Sequence, residues 1–180
     1  MNDKHEPAGE RLIEAYRTMV ERVHEAMDHL GEEVDRLQEA VGHARDRAVE
    51  LGELTREEAE NLAAYVKRDL EEARRYLAEE RHELAGWFYI DRELIEASLL
   101  EFFFKAADPT EVELLRLKEQ AREAAVYRTG EISGPGALQC TACGELIHFS
   151  RPGRIPPCPK CHGTTFVRKS RRGGEAGQAD

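Results

Sequence analysis

Cys140-Thr-Ala-Cys143-Gly144 and Cys158-Pro-Lys-Cys161 hold all four cysteines of this 180-residue chain, and fourteen residues separate Cys143 from Cys158. A Cys-x-x-Cys turn brings two sulfurs to one side of a tight knuckle. A second knuckle completes a tetrahedron around zinc, with Zn–S bonds of about 2.3 Å. The spacing therefore predicts a structural zinc ribbon with Cys140, Cys143, Cys158 and Cys161 as the metal ligands and Zn2+ as the cofactor. Gly144 follows the first pair, where a backbone at positive φ turns amides toward the sulfurs. His162 holds the equivalent position after the second pair, and histidine is among the commoner non-glycine residues there. His148 and His162 stand as reserve ligands, because four thiolates already close the shell.

Around the knuckles, Glu145–Phe149 reads as a strand, Arg151–Arg154 as a turn and Thr164–Arg168 as a returning strand. Val126–Ile132 adds a strand, and Gly134-Pro-Gly136 is a turn into the first knuckle. The ribbon thus covers 126–170. It has too few apolar residues to fold alone, so a metal-binding free energy of about 10–16 kcal/mol would be largely its folding free energy. Three other uses of the cysteines fit less well. Disulfides suit an exported chain, and Met1-Asn-Asp-Lys-His-Glu-Pro7 is no apolar signal segment. Redox pairs need a strand-to-helix setting, and catalytic zinc needs an open coordination position. Iron in a thiolate cage is the remaining alternative.

The chain is 41% hydrophobic and 34% charged, with a net charge of −10. That charge is uneven. Residues 133–180 carry seven basic against three acidic side chains, and the rest carries nineteen against thirty-three. An acidic helical part is joined to a basic ribbon, and the ribbon is the part that could attract phosphates. Apolar runs fall far short of the roughly 20 residues that span a bilayer, so a cytoplasmic protein without a membrane partner is expected.

Ahead of the ribbon, Ile13, Tyr16, Val20, Val23, Met27, Leu30, Val34, Leu37, Val41, Ala44, Ala48 and Leu51 follow at steps of three and four. The pattern predicts a coiled-coil-like seam on one helix of about 40 residues, with Gly31 and Gly42 off the seam. Gly52 suits a helix C-cap, and Thr55-Arg-Glu-Glu58 is a capping box. The seam resumes at Ala59, Ala63, Val66, Leu70, Ala73 and Leu77, so the two helices make an antiparallel hairpin. A pairing of seams between two chains is the alternative, and a homodimer stays open. Asp108 and Pro109 open a third helix that covers Phe102, Phe103 and Phe104, unless those phenylalanines dock a partner. The predicted fold is mostly α: a disordered start over 1–10, a hairpin plus third helix over 11–125, the β ribbon, and a disordered tail over 171–180.

Gly52-Glu-Leu-Thr-Arg56, Lys67-Arg-Asp-Leu-Glu71, Tyr127-Arg-Thr-Gly-Glu131 and the paired knuckles together resemble the bacterial zinc ribbon-containing protein family, a domain of unknown function. The likeness spans roughly residues 10–170. It implies a helical N-terminal region with a C-terminal zinc ribbon, assigns the metal to the same four cysteines, and brings no catalytic residue. His162 departs from the glycine usual after the last cysteine.

For function, the long seam favours a scaffold or protein-interaction role with another protein as partner. The alternative is nucleic-acid binding through Arg168, Lys169, Arg171 and Arg172, with Phe149 and Phe166 as stacking surfaces. No enzyme is expected. The one lead, Glu21/His24 with Glu79/His82 at a spacing used by di-metal bundles, does not turn its ligands inward on these seams.

Overall fold

The structure is a computed structural model that describes residues 8–30, 36–78, 87, 95–107 and 125–170. Its helical part contains α1 (Ala8–His29), α2 (Arg36–Glu50), α3 (Arg56–Ala78) and α4 (Ala97–Ala107). The expected 40-residue first helix is instead two helices, α1 and α2, packed antiparallel. At one end Arg36 donates to the Met27 carbonyl at 2.5 Å; at the other, Arg22 holds Glu53 at 2.7 Å and Arg11 donates to the Glu53 carbonyl at 3.1 Å. A 3–4 repeat is satisfied equally by one long helix and by two that fold back, since each half keeps its stripe inside. Tyr16, Val20, Val23 and Met27 of α1 meet Leu37, Val41, Ala44 and Ala48 of α2 in one buried core. Leu51, last of the seam, is 48% exposed, and Val34 lies outside the described residues.

The turn between α2 and α3 is built as its residues dictate. Gly52 takes φ 69°, its amide donates to Val49 and the Glu53 amide to Ala48, which is the paired bonding of a Schellman cap. Thr55 Oγ1 accepts from the Glu58 amide at 3.2 Å while Glu58 Oε2 accepts from the Thr55 amide at 2.9 Å. These reciprocal bonds satisfy two amides left open at the start of α3. Leu54 and Ala59, on either side of the cap, are buried together as its hydrophobic staple.

α4 lies along α1. Arg17 pairs with Glu96, and His24 meets Phe102 with ring centroids 5.7 Å apart. Phe103 is fully buried against Trp87 at 5.6 Å, and Phe102 is partly buried on the same core. Much of the cover for this aromatic run therefore comes from α1. The third helix expected from Asp108 lies outside the described residues, as do the side chain of Phe104 and the tail over 171–180.

Among the described residues six strands follow: β1 (Val126–Arg128), β2 (Ile132–Ser133), β3 (Gly136–Cys140), β4 (Leu146–Phe149), β5 (Gly153–Arg154) and β6 (Thr165–Lys169). They form an antiparallel sheet of order β1-β6-β3-β4 and a two-stranded β2-β5 pair. β3 pairs with both β4 and β6, yet its first residue, Gly136, closes the Gly134-Pro-Gly136 stretch that reads as a turn, because glycine is a poor strand former whose fit here comes from burial between neighbours. Gly136 enters the strand at φ 132°, which glycine alone adopts readily.

The ribbon rests on the helices through a buried polar network centred on Asp69 of α3, which is 0% exposed. Asp69 Oδ2 accepts from Tyr16 Oη at 2.6 Å and from the Gly134 amide at 2.7 Å. Its Oδ1 lies 3.4 Å from Arg68 Nε and 3.6 Å from Arg168 Nη2. Arg168 also donates to Tyr127 Oη, the Pro135 carbonyl and Ser133 Oγ, with its guanidinium 4.2 Å from the Trp87 ring centroid. Burial, then the neighbouring Asp69 charge, raises the Tyr16 phenol well above its usual range; burial also raises Tyr127. A raised folded value means that the stability these neutral phenols contribute is complete below about pH 10, the unfolded value, and is lost as pH rises toward the folded one. In an alkaline titration at 295 nm, Tyr16 and Tyr127 should ionise together with loss of the helical signal at 222 nm. Full phenolate absorbance near pH 10 with the helices intact would contradict this placement.

Candidate metal centre

Cys140 ends β3 and Cys143 lies in the turn after it; Cys158 and Cys161 flank the tight turn before β6. The two knuckles are built alike. The Gly144 amide donates to the Cys140 carbonyl at 2.9 Å with φ 78°, and the His162 amide to the Cys158 carbonyl at 2.9 Å with φ 59°. His162 thus occupies the left-handed conformation that its position demands.

The two turns bring the four sulfurs within 4.8 Å of one another. Cys140–Cys161 and Cys143–Cys158 are each separated by 3.6 Å, and each pair takes one sulfur from either knuckle. A disulfide needs about 2.05 Å, whereas a tetrahedron with bonds of about 2.3 Å has edges of about 3.8 Å. The spacing is that of a metal cage, and all four cysteines are free thiols.

The surroundings fit a cation. Burial pushes the Cys158 thiol up, but the amides of Cys161 and Lys160 and the adjacent sulfurs bring it down to about 7. The Glu145 amide pulls Cys143 down, yet the other three sulfurs together with burial outweigh it and push Cys143 up to about 12. Sulfurs this close cannot all ionise unless positive charge sits among them. Soft thiolates in a tetrahedron suit zinc or iron. Gly163 completes the cradle: a β-carbon there would lie 3.1 Å from Cys140 Sγ and 3.2 Å from Cys161 Sγ. Gly163→Ala should therefore weaken metal affinity about tenfold, the lower end of effects from groups that orient ligands. Competition with a colorimetric chelator would measure it, and unchanged affinity would show that the cradle yields.

The other sequence candidates scatter. His148 is exposed on β4 opposite Ala137, His162 is exposed, and neither belongs to the cluster. Arg168, expected as a phosphate contact, has a side chain only 2% exposed and turned inward to Asp69, so it is corrected to a buried bridge between ribbon and helices. Lys169 is half-buried, and Arg171 and Arg172 lie outside the described residues. Phe166 is fully buried with Tyr127, Leu138, Cys140, Ile155 and Cys158, and Phe149 packs against that same small core; both phenylalanines are spent on folding the ribbon. Glu21 is exposed and His24 is buried beside Phe102, while Glu79 and His82 lie outside the described residues. What sequence reasoning missed is Asp69. It belongs to a second stripe on α3, Leu62, Val66, Asp69, Ala73 and Tyr76, whose 4-3-4-3 steps signal a second buried face.

A family model described as a zinc-ribbon containing domain matches residues 21–170. No curated protein and no solved structure matches the chain. Among the described residues no helix is long and apolar enough to cross a membrane.

Proposed function

Because the chain belongs to the family of zinc-ribbon containing domains, we propose that Cys140, Cys143, Cys158 and Cys161 hold one structural zinc ion and that the protein acts as a scaffold or interaction protein rather than an enzyme. The observation that carries this reading is the closed set of four clustered thiols. Cys140 and Cys143 at the end of β3 and Cys158 and Cys161 before β6 would hold such an ion between them, and four thiolate ligands would leave no position for a substrate or an activated water. The residues themselves hold the ribbon rigid: Gly144 and His162 close the knuckles, Phe166 fills the small core, and Arg168 ties the sheet to the helices. A rigid ribbon on an acidic helical body presents a fixed surface, which is what a protein partner needs.

Elemental analysis of purified protein tests the metal: about one zinc per chain is expected, and iron or no metal would overturn the assignment. Binding of duplex DNA and single-stranded RNA at two salt concentrations tests the role. Weak binding at both supports the scaffold reading. Tight binding that weakens steeply with salt would establish phosphate contacts and the nucleic-acid alternative.

A further inference from the structure

The path from the metal cluster to the helical core is short and continuous. Cys140 sits opposite Phe166 in the β3–β6 register. Two residues further along β6, on the same face, Arg168 reaches Asp69 of α3. Tyr127 of β1, paired with Phe166, has two guanidinium groups near its ring, with the Arg68 carbon 3.8 Å and the Arg168 carbon 5.0 Å from the ring centroid. Both cations near Asp69 depend on the ribbon. Arg168 belongs to it, and Arg68 is held by Glu131 and by the Ile132 carbonyl at 3.1 Å. Gly134 is pressed into the helices, where a β-carbon would stand 2.8 Å from Phe103 Cζ and 2.8 Å from Tyr16 Oη.

We propose that the helical bundle senses the metal: loss of the ion loosens β3 and β6, withdraws Arg168 and the Gly134 amide from Asp69, and opens the face of α1 and α3 that the ribbon covers. This rests on the zinc reading above. A carboxylate buried in α3 then keeps the Tyr16 hydroxyl but loses the Gly134 amide and Arg168, and Arg68 loses its anchors. Buried charges are tolerated when paired and bonded, so the ribbon-facing side of the bundle becomes the weak point of the metal-free chain. Metal occupancy is thereby converted into a state of the helices, about which a partner could be informed without touching the cysteines.

The experiment uses full-length protein. Zinc is withdrawn with EDTA, the released ion is counted with a colorimetric dye, and helix melting is followed at 222 nm before and after. The helix midpoint should fall by about 10 °C in the native sequence. In Gly134→Ala, where the added methyl pushes the ribbon off the bundle, the fall should be less than half as large, from a lower starting midpoint and with zinc still bound. Hydrogen exchange on the native chain gives the same test without a variant, and chelation should speed exchange at α3 amides around Asp69. Zinc released with no change in helix midpoint or α3 exchange would overturn the coupling alone. Protein that never held zinc would overturn the reading of the site, and the coupling with it.

Discussion

Cys143→Ser/Cys161→Ser should cost the protein its zinc and the ordered fold of its ribbon while leaving α1, α2 and α3 formed at 25 °C. One sulfur is removed from each knuckle, so no three thiolates of the cage survive together. The strands can offer little in compensation: β2 and β5 are two residues each, and the ribbon's fully buried core amounts to Tyr127, Leu138, Cys140, Ile155, Cys158 and Phe166. Two of those six are themselves in the cluster. A structural zinc contributes about 10–16 kcal/mol to the module that holds it, and six buried side chains at about 1.5–3 kcal/mol each cannot replace that against the entropy of ordering some 45 residues. Amide exchange should show β3 and β6 losing protection, with zinc content near zero. Retained protection in those strands would mean that contact with the helices, rather than metal, folds the ribbon.

How far the sequence was legible follows from how local each constraint is. Metal-ligand spacing is local, since two knuckles and their Gly144 and His162 positions follow from chemistry within a few residues, and the sulfurs cluster as the spacing predicts. The cap at Gly52 and Thr55 is equally local. The break between His29 and Arg36 is not, because the apolar repeat is the same whether the chain runs straight or doubles back. β3 was hidden because Gly136 and Ala137 carry no strand preference of their own and are held by neighbours on both sides. Arg168 misled for a related reason. A basic residue near a chain end is most often solvated, and only the tertiary meeting of β6 with α3 makes it a buried partner of Asp69. The 4-3-4-3 stripe that contains Asp69 is hard to read from sequence, because a carboxylate inside a stripe counts against burial until its partner is known.

Asp69→Ala provides the sharper test of that meeting. The substitution removes the acceptor for Tyr16 Oη and the Gly134 amide, both buried, and leaves the Arg168 guanidinium inside the protein without its carboxylate. Breaking one side of a buried ion pair costs about 3–5 kcal/mol, most of it from the charge left behind. The urea midpoint of the zinc-loaded protein should fall accordingly, while zinc content stays near one per chain because no ligand has changed. Asp69→Leu/Arg168→Met should recover much of the loss, since two apolar side chains of similar volume leave no unpaired charge, and such replacements are often neutral or stabilising. If the double variant were as unstable as Asp69→Ala, the hydrogen bonds to Tyr16 and Gly134, rather than the ion pair, would be what joins the ribbon to the bundle. The two variants thus separate charge from hydrogen bonding around Asp69, where the metal-binding half of the molecule meets the helical half.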